Sequence, residues 1–383
     1  MAAFYGPLVR LAIHASDRFS MILRNGPRYL DRLRSTLVLL RQKSQLIHFT
    51  MGGWNESPLH YAARGAHDEA CQIIIQLGWW LAEINKPAGP AWRTPLQESV
   101  RWNRPSLFRL MHHDADVNVR ALSPFDSSKE PSWTALHFFA DQAHNGDDLG
   151  TVDGLITAGV PIDGRDHDDI ITKTPFHIAV RKNAFRLTDK IISLSNGAIL
   201  NSVSTRGAML TYPHPITALG HIIALNARHS GIRAVRYLLS TGASFVVEAK
   251  GNVTALHLVA LVPAGIRYEG DENKLGQGGF DWDTNSAIAE ELLRHFCEQN
   301  MLDQRGSSKW GRVTALHIAA ENGNVAVVEA LVRVGASREL RYDDGETARE
   351  KARKKWSSVV PDSGVGGEDK NAGMLEKMLA WLE

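Results

Sequence analysis

Residues 311–345 constrain the fold more than any other stretch of this chain. Thr314 stands where a helix N-cap belongs, and Leu316, Ile318 and Ala319 form a narrow apolar stripe behind it. Gly323 marks the end of that helix, because glycine enters a left-handed turn at no steric cost. Val325, Val328, Leu331 and Val332 then recur at helical spacing, and Gly335 closes the second helix. Two helices this short cannot bury their apolar faces alone, so a similar unit must stack on each side.

The rest of the chain supplies those units. Ser57-Pro58-Leu59-His60, Thr94-Pro95-Leu96-Gln97, Thr134-Ala135-Leu136-His137 and Thr174-Pro175-Phe176-His177 each open a copy. Thr217-Ala218-Leu219-Gly220 and Thr254-Ala255-Leu256-His257 follow, and Gly345-Glu346-Thr347-Ala348 begins a last, polar one. The set closely resembles the ankyrin repeat, whose Thr-Pro-Leu-His-x-Ala signature is met by Thr314, Ala315, Leu316, His317 and Ala319, with Ala in place of Pro. That resemblance implies an all-α ankyrin-repeat solenoid of stacked helix-turn-helix units with finger loops. It also implies that the signature histidine bonds its own turn and bridges to the neighbouring repeat. His60, His137, His177, His257 and His317 are accordingly read as structural, not as metal ligands.

Residues 54–345 are expected to form the array, with seven clear repeats. Signature positions lie 33 to 60 residues apart, against a family period of about 33, so most copies carry extra loop residues. The longest insert, 263–285, is Gly-rich and acidic and should separate a helix near 254–262 from one near 286–297. Residues 346–383 are expected to be a polar C-terminal cap repeat, as a terminal unit facing water requires, interrupted by an insert at 357–373. Residues 1–53 read as an N-terminal helical cap or a cryptic first repeat. Eight basic residues against Asp17 and Asp31 within 1–50 also fit a mitochondrial presequence, and both readings stand.

Composition excludes little else. Lys plus Arg is 43 and Asp plus Glu 42, so no nucleic-acid or anionic-membrane partner is expected on charge. No run reaches the roughly 18 apolar residues of a membrane span. Cys71 and Cys297 are too few for a disulfide framework, which favours the cytoplasm or the nucleus; both are expected to be buried and inert. The basic run Arg349, Lys351, Arg353, Lys354 and Lys355 reads either as an import signal or as the polar face of a cap helix. Asp166-His167-Asp168-Asp169, and Asp271, Glu272, Asp281 and Asp283, lack the ordered spacing of a calcium loop. No metal and no cofactor is expected, and no phosphate loop, nucleophile elbow or His-Glu-x-x-His pair suggests an enzyme.

Tryptophan is the unusual feature. Of ten, Trp54, Trp92, Trp133 and Trp310 sit just ahead of a signature, where the resemblance implies finger loops beside a concave face. Large exposed aromatics there would serve as binding anchors. Phe280 and Trp282, in the long insert, are secondary candidates, whereas Trp79, Trp80 and Trp102 read as packing at helix ends. The leading expectation is an interaction protein binding a protein partner through this Trp-bearing face. The alternative is an atypical enzyme or small-molecule binder, in which enlarged loops close an aromatic-lined pocket over a small apolar or cationic ligand. Solvent exposure of the tryptophans discriminates between the two.

Overall fold

A computed structural model describes residues 56–64, 68–76, 84–90, 92–103, 110–111, 113, 115–122, 131–143, 149–164, 173–204, 215–224, 230–248, 252–261, 282–298, 301–306, 312–356 and 370–383. The chain divides into two compact units, residues 1–179 with 186–194, and residues 180–185 with 195–383. In the first, each signature starts a short inner helix: α1 (Pro58–Arg64), α3 (Pro95–Arg101) and α4 (Ala135–Gln142). The helices α2 (Asp68–Gln76) and α5 (Gly150–Thr157) pair with α1 and α4. A two-stranded ribbon, β1 (Ala121–Leu122) with β2 (Pro131–Trp133), projects ahead of α4. Two further helices, α6 (Pro175–Arg181) and α7 (Phe185–Leu194), run across the division between units.

The second unit repeats the plan. Its inner helices are α8 (Ala218–Ala224), α10 (Ala255–Leu261), α12 (Ala315–Glu321) and α14 (Ala348–Trp356), each stacked on the next. The outer row is α9 (Ser230–Ser240), α11 (Trp282–Glu298), α13 (Val325–Arg333) and α15 (Lys370–Trp381), stacked likewise. A ribbon of β3 (Val246–Glu248) and β4 (Val253–Thr254) precedes α10. The core lies between the rows: Leu256, Leu292, Phe296, Leu316, Val328 and Leu331 are fully buried. In α11, Ile288, Ala289, Leu292, Leu293 and Phe296 share one buried stripe, and Cys297 falls outside it and is exposed, contrary to expectation, whereas Cys71 is buried. That helix starts at Trp282, four residues before the expected Ser286, because Asp283, Thr284 and Asn285 are residue types that suit a helix's first turn. Trp282 therefore opens a helix and is not a loop residue.

What joins consecutive repeats is one bond pattern. The backbone N–H of Ser57, Thr134 and Thr254 donates to Nδ1 of His60, His137 and His257 at 3.1, 3.0 and 3.2 Å. An Nδ1 that accepts an N–H leaves the proton on Nε2, which can then donate to a carbonyl. Nε2 duly meets the carbonyls of Arg93, Lys173 and Val313 at 3.1, 2.8 and 3.1 Å, each immediately ahead of a later signature threonine. His317 Nε2 reaches Leu340 O at 3.0 Å. Thr314 places its hydroxyl on His317 Nδ1 at 2.9 Å and so does not cap a backbone N–H. His177 accepts the same threonine contact, from Thr174 at 2.7 Å.

Three repeats dispense with histidine: in the terminal one Glu350 accepts from Thr347 N at 2.7 Å, and the other two differ more. Gln97 accepts from Thr94 N at 2.9 Å and donates from Nε2 to Val119 O at 2.5 Å, reproducing both ends of the imidazole bridge. Gly220 bridges nothing through a side chain. There the ribbon moves in: Thr217 N donates to Val247 O at 3.0 Å, and a Cβ on Gly220 would stand 2.9 Å from Val247 Cβ and 3.3 Å from Leu258 Cδ1. Restoring the signature at this position should therefore harm the fold. Gly220→Ala is expected to destabilise by about 1–3 kcal/mol through overpacking, and Gly220→His by more, read from urea or thermal denaturation.

Burial holds the bridging imidazoles neutral. It lowers the pKa from the ordinary 6.5 to about 4 for His60, about 3 for His137 and about 4 for His257, and lowers that of His317. Unfolded, these groups take up a proton near pH 6.5; folded, they resist it. Their contribution is thus complete above about pH 6.5 and is lost as the pH falls toward 4. His60, His137 and His257 should each remove up to about 1.4 kcal/mol of stability per pH unit in that window. Thermal melts are expected to be level from pH 8 to 7 and to fall steeply below 6.5; a flat profile down to pH 5 would show that the imidazoles are not held neutral.

Candidate functional site

Most of the fingers ahead of the inner helices share a register of one residue. The residue just before the signature threonine or serine is buried at Glu56, Trp133, Ile216, Val253 and Val313, and half-buried where it is Arg93, Lys173 or Glu346. In four fingers the residue one further back turns outward with a left-handed backbone: Trp92 at φ 49°, Asn252 at 50°, Arg312 at 55° and Gly345 at 82°. Alternate residues of an extended segment face opposite sides, so a shift of one position exchanges core for solvent.

That register separates the candidate tryptophans. Trp133 is 1% exposed in β2, paired with Ala121, stacked on His137 with ring centroids 5.6 Å apart and edge-on to Phe138 at 5.1 Å. It fills the core at the base of its finger and cannot serve as a surface anchor. Trp92 is 57% exposed at the tip of a turn closed by reciprocal Ala88–Arg93 backbone bonds of 2.9 Å and by Trp92 N to Gly89 O at 3.1 Å. Trp54, Trp310 and Phe280 lie outside the described residues, as do both acidic loops apart from Asp283, whose side chain, like that of Trp282, is not described.

A second exposed tryptophan went unrecognised in the sequence. Trp102, the C-cap of α3, is 41% exposed and lies beneath the guanidinium of Arg101, 5.2 Å from its ring centroid. The signal was its place: it follows the last inner-helix residue, beyond the reach of the buried stripe. Trp92 and Trp102 thus flank the same seven-residue helix, about 10 Å long at the α-helical rise.

Within electrostatic reach of Arg101 lie charges from three successive repeats. Arg64 of α1 makes two bonds to Glu56, at 3.1 and 3.2 Å. Arg93 donates to Glu98 of α3 at 2.6 Å and lies over the Phe138 ring of α4 at 5.5 Å. Glu98 is only 2% exposed, so this pair is largely withdrawn from water. Burial, followed by the nearby positive charge of Arg93, lowers the pKa of Arg101; Glu98 and Asp141 oppose that shift and Arg64 adds to it. The carboxylate of Asp141 accepts from Gln142 at 2.8 Å. Such a face offers aromatic surface and directional charge, the ingredients of protein recognition.

Stretches of the sequence that forms these repeats match known proteins. Residues 312–342 fit the family model of the ankyrin repeat. "BTB/POZ domain and ankyrin repeat-containing protein BOP" of Lupinus luteus is 38% identical over 65 residues, 17% of this chain and 13% of that protein. "Regulatory protein NPR5" of Arabidopsis thaliana is 38% identical over 72 residues, 18% of this chain and 14% of that protein. The chain thus matches only about an eighth of the length of these relatives. The solved human ASB11 ankyrin repeat domain aligns with 85% of this chain and 98% of its own at a TM-score of 0.38 and 17% identity. These matches, with the stacked helix pairs described above, support an ankyrin-repeat protein of all-α fold. Repeats of this kind constitute a protein-interaction module, and among the described residues no helix is long and apolar enough to cross a membrane.

The register predicts opposite outcomes for two neighbouring signature tryptophans. Trp133→Ala should cost about 3–5 kcal/mol. Trp92→Gly relieves a left-handed bulky residue and should raise stability by about 1 kcal/mol. Chemical denaturation of both variants measures the contrast.

Proposed function

We propose that this chain is an interaction protein that holds a protein partner against the inner-helix face of its first unit, with Trp92 and Trp102 as anchors. The observation that carries this reading is Trp92: a large aromatic, more than half exposed, occupies a backbone conformation that glycine would adopt more cheaply. Selection for stability alone would not keep it there. Binding would bury the two indoles, and the nearby charges would set orientation and selectivity. Trp54, Trp310, Phe280 and Trp282 join the proposal on sequence position only. A cytoplasmic setting is proposed from the cysteine composition.

A tagged full-length chain and its Trp92→Gly/Trp102→Ala variant, both confirmed as folded by melting, test this in pull-downs from native lysate. The expected result is a near-stoichiometric protein retained by the wild type and reduced tenfold or more by the variant. Equal capture by both would overturn the assignment of the face.

A further inference from the structure

The three arginines on the inner-helix face of the first unit are not equivalent. Arg64 and Arg93 are each neutralised by a buried carboxylate, Glu56 and Glu98, through bonds of 2.6 to 3.2 Å. Arg101 makes no ion pair or hydrogen bond among the described residues; its guanidinium lies over the indole of Trp102, 5.2 Å from the ring centroid. Asp141 is within electrostatic reach of Arg101 but forms no ion pair with it, and its carboxylate is engaged by Gln142. A guanidinium held over an aromatic ring by a cation–π contact still has its N–H groups to offer, and those suit a two-pronged bond to a carboxylate. Arg101 is also half-buried, so it has already lost part of its hydration, and an incoming anion displaces less water. Trp92, in the turn three residues ahead of the same helix, offers exposed apolar surface in the same repeat.

We infer that Arg101 is the docking point for a carboxylate of the partner: an acidic side chain in a segment that places a large apolar residue against Trp92. This rests on the proposed binding face and names the chemistry it selects. The two exposed tryptophans give apolar area without preference of sequence, whereas Arg101, unmatched among the described residues, imposes one. A segment bearing Lys or Arg at that point would meet an unsatisfied positive charge and be rejected.

Selection of a displayed library of random 12-residue peptides on the full-length chain tests this directly. Enriched peptides are expected to share an Asp or Glu near a large apolar residue. Arg101→Gln should weaken them about tenfold or more and flatten the decline of affinity with salt. Arg101→Lys, which keeps the charge but not the planar fork, should recover only part of the loss. Replacing the peptide's own Asp or Glu by Asn or Gln should give a similar loss with the protein untouched, which removes any ambiguity from a poorly folded variant. A selection that enriches no acidic motif overturns the inference. So do acidic peptides whose binding is indifferent to Arg101→Gln; if that binding still falls with Trp92→Gly, the binding face survives and only the carboxylate docking fails.

Discussion

The structure depends on a neutral imidazole held between two backbone groups. Nδ1 accepts from the start of its own repeat and Nε2 donates toward the next, so a single side chain ties a helix start to a neighbouring finger. Neither bond is strong by itself, since a net hydrogen bond contributes on the order of 1 kcal/mol. Their value lies in satisfying backbone groups that burial would otherwise leave orphaned. Gln97 achieves the same with an amide, which has an acceptor and a donor at suitable separation and no charge state to regulate. Gly220 abandons the side-chain bridge and lets the ribbon backbone close on the helix. Three chemistries therefore answer one requirement, that the threonine N–H and the facing carbonyl not be left alone.

With stacking secured by the core, the surface is released for other work. In the first unit, Arg64 and Arg93 are matched to carboxylates that are themselves buried, which fixes their position more than it stabilises the fold. The terminal repeat treats charge differently. There Lys351, Lys354 and Lys355 of α14 pair with Asp344, Glu346 and Glu321 at 3.3, 2.6 and 3.5 Å, while Ala348, Ala352 and Trp356 provide the buried side. Such solvent-exposed pairs contribute little individually. They show the basic run serving as the polar face of a helix.

The repeat was legible because its determinants are local. Thr314, Leu316 and His317 define a helix start, Gly323 and Gly335 its turns, and the observed helices begin within a residue of those marks. The fate of the tryptophans was not legible in the same way. Trp92 and Trp133 both stand just ahead of a threonine and share composition, yet one is two residues away and the other one. Only the pairing of the finger strands decides which side each faces, and that pairing is set by contacts between segments. A clue was present in the glycine at position 345: where one repeat uses Gly and others use Asn252 or Arg312, the backbone is left-handed, and a Trp there is conspicuous. Trp102 was missed for the complementary reason, because a residue at a helix end is usually covered and here nothing among the described residues covers it fully.

The bridging bonds also bear on how such a chain can change. His60, His137 and His257 reach their carbonyls across 33, 36 and 56 residues with nearly the same length. The acceptor is a main-chain oxygen, present whatever residue supplies it. Geometry at the joint is thus independent of how much polypeptide travels between its two ends. Segments can be lengthened, shortened or exchanged inside a repeat while the joint stays as it was. The array is in that sense a frame with standard fittings, on which individual loops can diversify without renegotiating the stack.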